Sequence, residues 1–239
     1  MGKRRNTTGR NTTRRNQQQD DATLVDIVEA RDSAQDFFEK NKTAILAAIG
    51  LAVLLIGGFL FYKYGIIKPK EKAVLESMYQ AEYQFARDSF ALALENPGGE
   101  SEGFLDIIDN YSGTSAANTA KYYAGVSYLN LGRFEEAIDY LESYSPKDDI
   151  TPAFRDGAIG DAYAELGDLD KALSMYQKAA GHIDDASRPY YLNKVGLLGK
   201  KLNNTSAATA AFNSLIEEYQ NTPEGINAGR YINQLTANQ

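Results

Sequence analysis

Cysteine is absent from the chain and histidine occurs once, at His182. Without cysteine there are no disulfides, no thiolate nucleophile and no cysteine-ligated metal. A lone histidine has no second histidine or cysteine with which to share a metal or build a nucleophilic triad. No GxxxxGK[ST] segment is present, so Gly98-Gly99 and the other glycines do not make a phosphate-binding loop. The acid pairs Asp148-Asp149, Asp184-Asp185 and Glu217-Glu218 fall beside turns or on solvated helix faces, where helix entry and solubility account for them. No catalytic residue, cofactor or metal is therefore expected, and the folded part must be held by apolar packing alone.

The 239 residues, 43% apolar and 24% charged, supply enough apolar surface for such a core. Charge is unevenly placed. Residues 1–19 carry Lys3, Arg4, Arg5, Arg10, Arg14 and Arg15 with no acid, whereas from Lys68 onward there are 15 bases against 25 acids. The first segment has no large apolar side chain beyond Met1 and is expected to be disordered over 1–21. No aromatic ring is interleaved there for base stacking, so specific nucleic-acid binding is not expected. From 22 to 42, Leu24, Ile27, Val28, Ala34, Phe37 and Phe38 recur at intervals of three and four opposite Asp26, Glu29, Asp32, Asp36 and Glu39, the pattern of an amphipathic helix.

Thr43 to Tyr62 then runs without a charge, long enough at ~1.5 Å per residue to cross a hydrocarbon core of ~30 Å. A membrane helix is expected over 43–66. Phe59, Phe61, Tyr62 and Tyr64 gather at its far end, where rings favour the interface. The run begins well into the chain and shows no small-x-small cleavage site before Lys63, so a retained anchor is expected rather than a signal peptide. Lysine and arginine are denser on its N-terminal side, which predicts a cytoplasmic N-terminus and a C-terminal domain across the membrane, in the periplasm of a Gram-negative cell. Gly50, Gly57 and Gly58 are candidate contacts with another membrane helix, since a missing side chain lets backbones approach.

Beyond Pro69 the pattern is helical, and the chain aligns with itself at a period of 35 to 36 residues. Gly125, Tyr128, Leu131, Gly132, Ala137 and Leu141 match Gly160, Tyr163, Leu166, Gly167, Ala172 and Tyr176. This is the tetratricopeptide signature: glycine and alanine let two helices approach, tyrosine fills the space between them, and a second glycine permits the turn. A weaker third unit places Gly196, Leu202, Asn203, Ala208 and Phe212 in register. An offset of 108, three periods of 36, relates Phe104, Ile107, Thr114, Ala120 and Tyr123 to Phe212, Leu215, Thr222, Ala228 and Tyr231. The expected fold is all-α: a single membrane helix and, over 69–239, an α-solenoid of about three to four hairpins with a degenerate first hairpin and a closing helix. The first hairpin is read as one helix from Glu71 to Glu95, a break at Asn96-Pro97-Gly98-Gly99 and a second helix from Ser101 to Tyr111, with a kink at Pro69.

Stacked hairpins line a groove with their first helices. On that template the groove exposes Tyr122, Val126 and Leu129, then Phe154, Asp161 and Glu165, then Tyr190, Asn193 and Leu197. Aromatic and apolar anchors beside carboxylates suit an extended peptide or a partner helix.

With Phe37-Phe38-Glu39-Lys40-Asn41-Lys42-Thr43-Ala44 leading into the anchor, the layout resembles the YfgM-like family of ancillary Sec-translocon subunits. That resemblance implies a SecYEG-type channel as partner in the inner membrane. It also implies a membrane-bound periplasmic chaperone of the peptidyl-prolyl isomerase type and unfolded or extended polypeptide clients. A tethered scaffold for another cell-envelope assembly needs the same anchor and groove.

Overall fold

The computed structural model describes the backbone of residues 9–96, 98–99, 101–182 and 186–237, and the side chains of residues 31, 35–70, 73–96, 98–99, 101–182 and 186–235. It divides into two compact units, Met1–Lys63 and Tyr64–Gln239.

The first unit is one helix, α1 (Gly9–Phe61). Residues 1–8 of the expected disordered tail lie outside the described residues; from Gly9 the backbone is helical without a boundary at 21 or 42. Leu46, Ile49, Leu51, Val53, Leu54, Leu55, Ile56, Phe59, Leu60 and Phe61 are all exposed. The stretch Gln35–Lys70 is long and apolar enough to cross a membrane, and a helix satisfies its own backbone hydrogen bonds there. A methyl group added at Gly50, Gly57 or Gly58 would meet nothing within 4 Å.

A π-helical stretch, Tyr62–Ile67, follows α1 and immediately precedes α2 (Lys68–Ala73). Pro69, expected to disturb the helical path, stands in the first turn of α2, where no amide hydrogen is required of it. The single helix expected from Glu71 to Glu95 is instead broken: α2 gives way at Val74 to α3 (Leu75–Phe85), and α4 (Phe90–Glu95) follows a reversal. Asp88 makes that reversal in the left-handed region, φ 57°, which Asp tolerates better than most residues. The amides of Asp88 and Ser89 donate to the carbonyls of Phe85 and Gln84, both at 3.0 Å. Turning here brings Phe85 edge-on to Phe90, Phe104 and Tyr123 at ring separations of 5.4, 6.3 and 4.9 Å. An unbroken helix would forgo that aromatic cluster.

The root of this segment is tied down by polar bonds. Lys70 Nζ donates to the Asn110 carbonyl at 2.7 Å, and the Glu102 amide donates to Ser77 Oγ at 3.3 Å. Asn110 ends α5 (Phe104–Asn110), after which three hairpins follow: α6 (Ser115–Asn130) with α7 (Phe134–Ser143), α8 (Thr151–Glu165) with α9 (Leu169–Ala180), and α10 (Arg188–Lys201) with α11 (Thr205–Glu218). α12 (Pro223–Ala237) closes the array. No strand occurs among the described residues.

The repeat residues occupy the positions their chemistry requires. Gly132 and Gly167 turn the chain at φ 74° and 80°, and Asn203 does so in the third hairpin at φ 57°. At Gly125 a Cβ would lie 2.5 Å from Leu141 Cγ, so the close approach of α6 and α7 depends on its absence. Ala137, Ala172 and Ala208 are fully buried on the returning helices, and Tyr128 stacks on Tyr140 at 5.3 Å. Successive hairpins are keyed to one another: the Tyr191 ring of α10 fills the space beside Gly157 of α8, 2.2 Å from where a Cβ would stand. The core forms two clusters, one from Val74 to Ala162 and one from Ala153 to Ala228, and Tyr163 packs against both.

Candidate protein-binding groove

The side chains expected to line the groove divide by repeat. In α6, Tyr122, Val126 and Leu129 are half-buried against the first core cluster. The Tyr122 ring lies 6.0 Å from Tyr123 and 5.4 Å from Tyr144, and burial with these neighbours pushes its phenol above the ordinary value. In α8 and α10, Phe154, Glu165, Tyr190 and Leu197 are exposed, while Asp161 and Asn193 are intermediate. Asn193 Oδ1 is buried without a hydrogen-bond partner.

Two of these residues, Asp161 and Tyr190, are brought together by a lysine that the repeat template does not single out. Lys194 donates to Asp161, and its ammonium lies 4.9 Å from the Tyr176 ring centre and 5.0 Å from that of Tyr190. Burial opposes its charge, but the bonds to Asp161 and Tyr190 outweigh that and raise its pKa, so Lys194 stays a cation. The Tyr176 hydroxyl donates to the same Asp161 Oδ1 at 2.6 Å; burial and that bond push the phenol far up. Asp161 thus joins α8, α9 and α10 while its own charge is met by Lys194. Lys194 sits three residues before Leu197 on α10, one helical turn back on the same face, and that spacing is its only signal in the sequence.

Beside this knot, Ala164, Leu169, Tyr176, Leu197 and Leu198 line a cavity of about 400 Å³ whose polar members are Glu165, Lys194 and Lys201. Its apolar floor is large enough for a side chain and its rim carries both signs of charge.

A second polar cluster is buried in the solenoid. Asp156 is fully buried on α8, where the next repeat places the apolar Leu192. Arg155 Nη2 and His182 Nε2 lie 2.7 Å from its carboxylate oxygens, and Lys178 Nζ lies 3.4 Å away. Burial acts against its charge, but bonds from His182 and Arg155, with the Lys178 charge, hold the carboxyl below its usual range. His182, the lone histidine, thus anchors the end of α9 to α8. Asp148 has a local role, accepting from the amides of Ile150 and Thr151 at 2.9 and 2.7 Å as the chain enters α8. Among the described residues no group of three or more His, Asp or Glu is placed to hold a metal ion.

Two family models described as tetratricopeptide repeat match the chain, at residues 119–145 and 157–181. These are α6 with α7, and α8 with α9. No curated protein and no solved structure matches. With the third hairpin and closing helix stacked in the same register, the unit from Tyr64 onward is an all-α tetratricopeptide-repeat solenoid, a protein-interaction fold, in a chain whose N-terminal helix is long and apolar enough to span a membrane.

Proposed function

We propose that the chain is a membrane-anchored interaction subunit of the Sec protein-translocation channel, with its N-terminus in the cytoplasm and the solenoid facing the periplasm. There it engages emerging polypeptides or the chaperones that receive them. The observation that carries this reading is that Phe154, Tyr190 and Leu197 remain exposed on α8 and α10, and Asp161 and Glu165 lie on α8 as well. Exposed rings and leucine together with carboxylates are the equipment for holding extended segments. The stretch Gln35–Lys70, long and apolar enough to cross a membrane, supports a tethered role. The excess of Lys and Arg before the anchor supports the orientation, and the resemblance of the Phe37–Ala44 segment supports the choice of channel.

Extraction in mild detergent and copurification tests it. Recovery of the Sec channel with the intact chain is the expected result. Consistent absence of the channel, with another envelope assembly recovered in its place, would assign the same groove to a different machine. Protease accessibility of the solenoid in spheroplasts but not in intact cells checks the orientation independently.

A further inference from the structure

We propose that the cavity between α8 and α10 selects bipolar segments: an extended polypeptide in which an apolar side chain is flanked by one basic and one acidic residue. This rests on the groove being the binding surface, and it adds the chemistry of what the groove takes.

The charges around the cavity are not equivalent. Asp161 and Lys194 satisfy each other, with Lys194 further fixed between the Tyr176 and Tyr190 rings. They build the wall and leave little net charge to offer a ligand. Glu165, at the end of α8, and Lys201, at the end of α10, are different. Both are exposed, both line the cavity, and neither side chain makes a hydrogen bond or ion pair among the described residues. They do not pair with each other, and Leu169, Leu197 and Leu198 line the same cavity. An apolar side chain lowered into the cavity displaces water from both charges, and each then needs a counter-charge from the ligand. A base toward Glu165 and an acid toward Lys201 meet the need. Two bases or two acids leave one rim facing its own sign. In an extended chain, at ~3.3 Å per residue, charges two positions either side of the apolar residue reach outward by ~7 Å.

The test uses the full-length chain in detergent micelles and three fluorescein-labelled peptides, Arg-Ser-Leu-Ser-Glu, Arg-Ser-Leu-Ser-Arg and Glu-Ser-Leu-Ser-Glu, read by anisotropy at low salt. The bipolar peptide is expected to bind about tenfold tighter than either of the others, and the contrast fades as salt rises. Lys201→Glu should move the preference to the peptide with two arginines, and Glu165→Lys to the peptide with two glutamates. Both residues are exposed, and unchanged thermal melts confirm that these variants fold. Equal binding of all three peptides that Leu197→Arg abolishes would overturn the bipolar selection while leaving the groove as the binding surface. Preferences that neither charge reversal moves would overturn it likewise. Absence of binding by every peptide, together with no crosslink from a photoreactive residue at position 197 in cells, would overturn both.

Discussion

The two ends of the solenoid use one module and finish it differently. At the entry, Phe104 and Ile107 are fully buried and Phe104 stacks on Tyr123 at 5.1 Å; at the exit, 108 residues later, Phe212 and Leu215 are fully buried and Phe212 stacks on Tyr231 at 5.0 Å. Thr114 Oγ1 donates to the Tyr111 carbonyl and accepts from the Ala117 amide at 3.0 Å, and Thr222 repeats this with Tyr219 and Gly225 at 3.1 Å. The modules diverge two residues beyond Tyr123 and Tyr231. Gly125, which admits Leu141 of the returning helix, is matched at the exit by Asn233. There an exposed polar side chain stands where the entry has none. A solenoid ends where its stacking face becomes hydrophilic, without needing a different fold to cap it.

That comparison can be broken most forcefully at its aromatic pairs. Phe104→Ala and Phe212→Ala each empty a fully buried site and are expected to cost about 3–5 kcal/mol of stability, measured by urea denaturation with the chain in micelles. A Phe104 variant losing under about 1 kcal/mol would show that the entry is not an equivalent module. Next comes the point of divergence. Gly125→Val drives methyl groups into Leu141 and should cost about 1–3 kcal/mol, whereas Asn233→Val, at an exposed position, should cost less. Comparable losses at the two positions would contradict the account of how the array ends.

Between the ends, Asp156→Asn leaves Arg155, Lys178 and His182 facing a neutral group and should cost about 1–3 kcal/mol at neutral pH. The folded carboxyl lies below its ordinary value. Its contribution is therefore complete above the unfolded pKa of about 4 and is lost as pH falls through the depressed folded value. Melting profiles of the parent should fall more steeply with acid below about pH 4 than those of Asp156→Asn; parallel profiles would remove Asp156 from the account. The smallest effect is expected at the caps. Thr114→Ala and Thr222→Ala should each cost about 1 kcal/mol, and the two values should agree if entry and exit are built alike.

Much of this architecture is legible in the sequence because a repeat announces itself twice. Gly132 and Gly167, the alanines of the returning helices and the 108-residue offset are each interpretable only against their copies, and each takes the predicted place. Where no copy exists the reading weakens. The helix broken at Asp88 reads as continuous because Ala86-Arg87-Asp88-Ser89 is a poor stop signal, and the reward for stopping is an aromatic cluster assembled from Phe104 and Tyr123, far along the chain. The Asp156 cluster is hidden for a similar reason. Its partners Lys178 and His182 lie 22 and 26 residues away, a spacing that belongs to no periodic pattern. At the groove, the template places Glu165 and Leu197 on one cavity but passes over Lys194 and Lys201, which give that cavity its charge.

The Tyr191 ring seated beside Gly157 bears on what such a groove can distinguish. A ring wedged where no Cβ exists fixes the spacing of α8 and α10, much as a tooth fixes two gears. The carriers of Asp161 and Glu165 on one side, and of Lys194 and Lys201 on the other, are thereby held at one phase. A surface whose opposite charges are locked at a constant interval measures its ligand, and an elastic array of the same composition would only attract it. If the groove selects bipolar segments as proposed, that selection depends on Gly157, a small residue outside the cavity lining.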